Sequence, residues 1–253
     1  MPIRLSEPSY KSLFVEVISE GGGSMGTATS FVAQAYTGAP FLITNRHVVT
    51  GRHQDTGRLT HASGAVPGSL IVWFSATIGR GHWEPVEIPL HVEGTRIWVE
   101  HPTYCGAVDV VAIPLPKGRD DLRFEPYEAL RFQHDKIEPA QMLSVVGFPF
   151  GERNGGALAV WATGFVATEP DIDHGGKPVF LIDCRSRQGQ SGSPVILYHG
   201  YHAKTANSIG FQASSELLGV YSGRINEQSD LGRVWKSSVI VELLQYANSL
   251  LQS

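Results

Sequence analysis

The sequence contains little cysteine, no long apolar run and no cluster of basic residues. Its 253 residues include two cysteines, Cys105 and Cys184, and neither belongs to a pair with metal-ligand spacing. A disulfide-rich secreted fold is therefore excluded, and we expect two free thiols and no bound metal. No stretch approaches the roughly 18 apolar residues that cross a bilayer, so no membrane partner is expected.

Basic residues are also too scattered for a nucleic-acid-binding surface. The formal net charge is -4, whereas such surfaces neutralise phosphates with clustered lysine and arginine. The first residues soon reach Glu16 and Glu20 and lack the apolar core and cleavage site of a secretory signal, so a cytoplasmic location is expected. Apolar residues make up 42% of the chain and charged residues 17%, which favours a globular core over disorder.

The chain does contain many short β-rich runs separated by Gly, Pro, Asn and Asp. Such regularly spaced short strands predict an all-β barrel or sandwich rather than alternating βαβ units. A less regular stretch at 116–139 carries charge clusters and predicts a short helix around 126–132. The runs lie at 13–18, 29–35, 41–44, 70–75, 97–99, 108–115, 142–146, 158–166, 179–183, 194–198 and 217–221.

These patterns divide the chain into two β-rich halves. We predict a first half over 1–118, a connection over 119–140 and a second half over 141–253. A helix is predicted over about 237–251, because Ser237 or Ser238 can cap it and apolar residues then recur at three- and four-residue steps. We expect this helix to act as a structural clamp on the second half.

Three segments carry residues suited to nucleophilic catalysis. They are GQSGSP at 189–194, TNRHVV at 44–49 and VDVVA at 108–112. Ser191 supplies a nucleophile, His47 a base and Asp109 a carboxylate that orients the base, which is the set that acyl transfer needs. Gly189 and Gly192 fit a sharp turn that leaves the backbone open to substrate.

Other residues of the same types lie close to two of these positions. Ser193 and Ser186 are alternatives to Ser191 as nucleophile. Asp120 and Asp121 are alternatives to Asp109, although they lie in a charged, loop-like stretch rather than beside a strand.

The order His47, Asp109, Ser191 resembles that of trypsin-like (chymotrypsin-fold) serine proteases. The segments GTATSFV at 26–32 and LITNRHVV at 42–49 are similar to those of bacterial members, both stand-alone peptidases and the high-temperature-requirement protease domain. The resemblance covers residues from about 13 to 250. It implies two antiparallel six-stranded β-barrels, with His47 and Asp109 in the first, Ser191 in the second, and a C-terminal helix.

The resemblance further implies a serine endopeptidase that cleaves peptide bonds through an acyl-enzyme without a cofactor. Amides of Gly189 and Ser191 would form the oxyanion hole. Its partners would be protein or peptide substrates. We expect no further module after the last helix, and we therefore expect substrate selection to come from the cleft, its loops or a separate regulatory partner.

Two positions depart from the pattern of digestive trypsins. Gln190 stands where those enzymes carry the aspartate that pairs with a new N-terminus, so activation by that switch is not expected. Arg185, six residues before Ser191, corresponds to the base of the primary specificity pocket, and Tyr221, Ser222 and Gly223 to its wall and substrate-pairing strand.

A buried Arg185 would favour acidic residues before the cut, because guanidinium pairs well with carboxylate. The alternative is that Arg185, Arg187 and Arg224 face solvent or an internal acid such as Asp183. A second function remains open for the whole chain: a catalytically latent protease fold that works as a binding or scaffolding module.

Overall fold

The fold is described from a computed structural model of the chain, which covers residues 5–35, 38–79, 81–128, 137–200, 213–226 and 228–252. Three α-helices lie within these ranges: α1 (Glu7–Lys11), α2 (Arg46–Thr50) and α3 (Ser237–Gln252). Two 3-10 turns occur at Pro149–Gly151 and His174–Gly176.

The described strands fall into two groups along the chain. The first group comprises β1 (Ser12–Ser19), β2 (Ser24–Gln34), β3 (Pro40–Thr44), β4 (Pro67–Ala76), β5 (Trp83–Pro89), β6 (His91–Val92), β7 (Thr95–Arg96), β8 (Val99–Glu100), β9 (Val111–Pro114), β10 (Leu122–Arg123) and β11 (Tyr127–Glu128). The second comprises β12 (Met142–Gly147), β13 (Val160–Val166), β14 (Val179–Asp183), β15 (Pro194–His199), β16 (Ser214–Arg224) and β17 (Leu231–Lys236).

The second group forms a closed six-stranded barrel in the order β12-β13-β14-β17-β16-β15, with β15 pairing back onto β12. Its strands alternate between two apolar environments, as the period of two requires. On β14, Phe180 and Ile182 belong to the core inside the barrel, whereas Val179 and Leu181 belong to a second core that the barrel shares with the first half. The barrel expected for the second half is confirmed.

The first group forms a nine-stranded sheet rather than a second closed barrel. Its strands follow the path β10-β4-β1-β2-β3-β9-β8, with β5 on β4 and β11 parallel to β2; β6 and β7 form a separate hairpin. The expectation of two closed six-stranded barrels is therefore met only in the second half. The end strands β8 and β10 are two residues long, so each offers few backbone groups for a closing partner.

The connection between the two groups also differs from expectation in part. Leu122–Arg123 and Tyr127–Glu128 are strands of the first sheet. The predicted helix around 126–132 is therefore wrong at its start, and residues 129–136 lie outside the described part of the chain.

The predicted C-terminal helix is confirmed as α3, and it packs on both halves rather than on the second alone. Five of its apolar residues are buried in the shared core with Phe31 of β2 and Leu217 of β16. Asn248 Oδ1 also accepts a hydrogen bond of 2.7 Å from the amide of Ala39, in the first half. The five are Val239, Ile240, Leu243, Leu244 and Ala247. No helix within the described ranges is long and apolar enough to cross a membrane.

Candidate active site

His47 lies at the start of the short helix α2, directly after strand β3. Gly51 ends that helix in the left-handed region at φ 63°, where glycine is favoured. Asn45, two residues before His47, is fully buried, and its Nδ2 donates a 2.7 Å hydrogen bond to the carbonyl oxygen of Asp109. This hydrogen bond joins the chain segments that carry His47 and Asp109, in addition to the contact between their side chains.

The Asp109 carboxylate holds His47 at two points. Oδ1 accepts the His47 backbone amide at 2.9 Å, and Oδ2 lies 2.7 Å from His47 Nδ1. A carboxylate can only accept, so Nδ1 carries the proton and Nε2 is left as the basic nitrogen. Asp109 is 1% exposed, which keeps water from competing for these bonds.

The pKa of His47 is raised above its ordinary value. Burial by itself would lower the pKa, but the charge of Asp109 and the hydrogen bond to it outweigh burial. The structure does not bring Asp120 or Asp121 to His47. Asp121 instead pairs with Arg119, 2.6 Å between Oδ2 and Nη2, and both aspartates are exposed.

The loop that carries Ser191 needs glycine on both sides of it. Gly189 and Gly192 have φ values of 92° and 84°, a region that other residues rarely adopt. A side chain at either position would also meet backbone. A Cβ on Gly189 would lie 2.3 Å from the carbonyl oxygen of Phe148, and one on Gly192 would lie 2.1 Å from that of Thr29.

Thr29 of strand β2 anchors this loop to the first half of the molecule. Its amide donates to the carbonyl oxygen of Ser191 at 2.8 Å. Its hydroxyl donates to the carbonyl oxygen of Gly189 at 2.9 Å and accepts the Phe148 amide at 3.2 Å. The residues that bear the base and the nucleophile are thus held in register across the two halves. Sequence reasoning treated Thr29 only as part of a strand.

Gln190 is a second residue whose role the sequence did not indicate. It is fully buried, and its Oε1 accepts the amide of Arg187 at 2.7 Å. The side chain before Ser191 therefore braces the loop from within.

Gly189 and Ser191, whose amides are the candidate oxyanion-hole donors, both line the cleft that contains His47. In the described part of the chain, neither donates a hydrogen bond within the protein. The carbonyl oxygen of Gln188 accepts the amide of Phe150 at 2.6 Å. Because N–H and C=O of a trans peptide point in opposite directions, the Gly189 N–H points away from Phe150.

Among the three candidate serines, Ser191 is the one that lines an open cleft. That cleft has a volume of about 370 Å³, and His47 and Gly189 line it too. Ser193 and Ser186 are both fully buried, and the Ser186 hydroxyl is hydrogen-bonded to the hydroxyl of Tyr221. Within these described residues, no hydrogen bond joins the Ser191 hydroxyl to His47, a looseness common before substrate binds.

The specificity residues expected from sequence fall into three settings. Ser222 and Gly223 line a second cleft, of about 470 Å³, that also contains His47. Tyr221 is 2% exposed, with its ring against Gly232, and burial raises its pKa to about 12. Its side chain faces the barrel core rather than the cleft.

Of the two settings that the sequence left open for Arg185, buried or facing solvent, the structure shows the second. The alternation of strand β14 continues past its end, so Asp183 and Arg185 are exposed while Cys184 and Ser186 are buried. Arg187 lies 3.6 Å from Asp230 and donates to the carbonyl oxygen of Ser186. Within the residues described, no group of three or more His, Cys, Asp or Glu side chains is placed to hold a metal ion.

Comparison with known proteins matches residues 26–202 to the trypsin-like peptidase domain. No curated protein matches the sequence.

Several solved structures have a similar fold. The active form of the Rv3671c protease from M. tuberculosis is 16% identical, with a TM-score of 0.50 over 94% of this chain and 81% of that one. The thermostable serine protease AL20 from an extremophilic microorganism is 14% identical, with a TM-score of 0.55 over 95% and 98%. The serine endoprotease from Yersinia pestis is 13% identical, with a TM-score of 0.52 over 95% and 65%. At such identities these likenesses concern the fold.

The matched segment contains more than two thirds of the chain, including His47, Asp109 and Ser191. The resemblance first indicated by the order of those residues is confirmed, and the chain belongs to the trypsin-like peptidase domain family.

Proposed function

We propose that this protein is a serine endopeptidase in which Ser191 is the nucleophile, His47 the general base and Asp109 the residue that orients the base. The observation that carries the proposal is the 2.7 Å contact between His47 Nδ1 and a buried Asp109 carboxylate. That contact leaves Nε2 as the basic nitrogen of His47, a residue that lines the same cleft as Ser191.

The reaction follows from these positions. His47 Nε2 removes the Ser191 hydroxyl proton while Oγ attacks the peptide carbonyl carbon, and the carbonyl oxygen becomes negatively charged. The amides of Gly189 and Ser191 then donate to that oxygen; loss of one such donor typically costs about 2.7–4 kcal/mol of barrier. The C–N bond breaks as His47 returns the proton to the amine, and water hydrolyses the acyl-enzyme by the same steps.

Substrate would bind as an added strand along Ser222 and Gly223. Strand β15 begins at Pro194, opposite Val220, and Tyr221 still exchanges backbone hydrogen bonds with Gly192 and Ser193. Within the described residues, the next two positions of β16, Ser222 and Gly223, have no backbone partner on that side. An extended peptide can pair with such an edge and place its carbonyl near Ser191.

Labelling with a fluorophosphonate probe tests the assignment, because the probe reacts only with an activated serine. We expect one label per chain, located on Ser191 by mass spectrometry, and its loss in Ser191→Ala and His47→Ala. Ser193→Ala is the matched control, two residues away and fully buried, and should label like the unaltered protein.

Cleavage of a mixed peptide library should follow the same pattern across the variants. Folded protein that neither labels nor cleaves would contradict the proposal and favour the latent binding module.

A further inference from the structure

The cleft beside Ser222 and Gly223 is lined by cationic side chains from the second half of the molecule. Lys177 follows the 3-10 turn at His174–Gly176, Arg233 lies on strand β17, and Arg224 ends strand β16. Their setting contrasts with the molecule as a whole, whose formal net charge is -4. The substrate edge therefore runs beside a local positive potential.

One carboxylate already occupies this cationic site. Asp55, from the first half, places Oδ2 2.7 Å from Arg233 Nη1 and Oδ1 3.3 Å from Lys177 Nζ. The only other acid lining the described part of the cleft is Asp109, which is bound to His47 and 1% exposed. Two cations thus share a single carboxylate at the rim.

Asp55 reaches the site from the tip of a small turn between α2 and β4. The turn is closed on itself by hydrogen bonds from His53 N to the Arg58 carbonyl and from Gly57 N to the His53 carbonyl, both 2.8 Å. Asp55, Arg233 and Lys177 are each roughly one third or more exposed, at 35%, 31% and 44%. Ion pairs with this exposure contribute little net stability, so their replacement by other pairs is not costly.

The electrostatic environment favours a carboxylate here. Partial burial by itself would raise the pKa of Asp55, but the hydrogen bonds and charges of Arg233 and Lys177 together lower it. The guanidinium of Arg233 presents a planar fork that suits a carboxylate, and Lys177 adds a mobile point charge.

We propose that Arg233 and Lys177 form a binding site for an Asp or Glu side chain of the substrate, and that Asp55 is an internal occupant which the substrate displaces. This inference rests on the proposed peptidase function and specifies its substrate class. The acidic residue would belong to the part of the peptide that lies along Ser222–Arg224, on one side of the cleaved bond. Acid recognition is thereby placed at Arg233 and Lys177 rather than at Arg185.

Paired peptides that differ only by Glu or Gln, scanned through four positions on each side of one cleaved bond, test the proposal. The readout is the ratio of kcat/KM for the Glu peptide to that for the Gln peptide. We expect a ratio of about tenfold at one position, the size of one charge-assisted hydrogen bond. A ratio near one at every position, with the Gln peptides cleaved, would overturn this inference and leave the peptidase assignment standing.

Substitutions then assign the ratio to residues. Arg233→Gln should bring the Glu/Gln ratio of kcat/KM close to one, and Arg233→Lys and Lys177→Gln should reduce the ratio. Asp55→Asn should increase the ratio, because it removes the internal competitor. Arg58→Gln is the matched control, since it removes a charge from the same turn without lining the cleft, and its ratio should equal that of the unaltered protein. If Asp55 had only a structural role and were not displaced by substrate, Asp55→Asn would lower kcat/KM for the Glu and Gln peptides by the same factor.

Binding provides a readout that does not depend on catalysis. Fluorescently labelled Glu and Gln peptides titrated into Ser191→Ala protein should show the same preference, lost when Arg233→Gln is added. Equal affinities would contradict the proposal even if no peptide were cleaved.

Discussion

The proton affinity of His47 reflects two opposing influences, burial and the adjacent Asp109. Burial would favour the neutral ring, but the carboxylate prevails, and the pKa of His47 is raised above 6.5. The imidazolium that forms during attack is therefore stabilised in the same geometry that holds the resting ring. The pH dependence of the contribution of His47 to stability is opposite to the pH dependence of activity. A raised pKa stabilises the fold fully below 6.5, and this contribution is lost as the pH rises through the folded-state pKa, where the base becomes active.

The rate should accordingly depend on the protonation of His47. We expect kcat/KM for a neutral peptide to fall as the pH drops through a value above 6.5, because the protonated ring cannot accept the Ser191 proton. Asp109→Asn removes both contributions that raise the pKa and leaves burial, so the acid limb should move to lower pH. The change of tautomer should also reduce kcat by about 10⁴.

These shifts are measured by kcat/KM profiles and by NMR titration of the His47 ring in both proteins. Asp121→Asn is the control, since that carboxylate pairs with Arg119 instead. If the acid limb of the kcat/KM profile lay at the same pH in Asp109→Asn as in the unaltered protein, Asp109 would not set the pKa of His47.

Residues of the site differ in how far the sequence alone predicts them. His47, Asp109 and Ser191 stand in short local motifs, so residue type and spacing were enough to propose them. Thr29 and Gln190 act by hydrogen bonds to backbone, and the bond from Thr29 to Gly189 joins residues separated by 160 positions. No local pattern encodes such a partner. The setting of Arg185 stayed open for a related reason, because the strand alternation that turns its side chain outward runs past the end of β14.

At the scale of elements, strand β2 and the Ser191 loop act as one unit. Three hydrogen bonds involving Thr29 join the first sheet to the loop and to Phe148, which precedes a 3-10 turn. The Thr29 carbonyl oxygen in turn accepts the hydroxyl of Thr44, near His47, at 2.9 Å. A shift of β2 would therefore displace the nucleophile relative to the base.

Thr29→Val should separate this positioning role from folding. The change keeps the shape of the side chain but leaves the Gly189 carbonyl and the Phe148 amide without their partner. We expect kcat to fall by roughly 10²-fold with a smaller change in KM, the size of effect that a 1 Å misplacement can produce. Steady-state peptide cleavage gives kcat and KM, and chemical denaturation of the same samples gives the free energy of unfolding.

Thr29→Ser retains the hydroxyl and is the matched control. Its kcat should return close to that of the unaltered protein although a methyl group is lost. If Thr29→Ser were as slow as Thr29→Val, the packing of the methyl group rather than the hydroxyl would position the loop.

At the scale of the whole molecule, one apolar core crosses between the two halves. It includes Phe31 and Ile43 from the first sheet, Phe148 and Leu217 from the second half, and the buried face of α3. The apolar period in the sequence was sufficient to predict α3, because helical spacing is a local property. Its contact with both halves, and the open first sheet where a closed barrel was expected, depend on which strands meet in space, and periodicity does not specify that.

Leu243→Ala tests whether α3 stabilises both halves together. Leu243 is fully buried in the shared core, so its truncation should lower the free energy of unfolding by about 2–5 kcal/mol. Leu251→Ala is the matched control on the same helix, 53% exposed, and should change it by about 0.5 kcal/mol or less. Urea titrations followed by circular dichroism and by tryptophan fluorescence measure both. Because residues of both halves line the core, the two signals should shift together to lower urea; equal midpoints for the two variants, or a shift in only one signal, would show that α3 does not join the halves energetically.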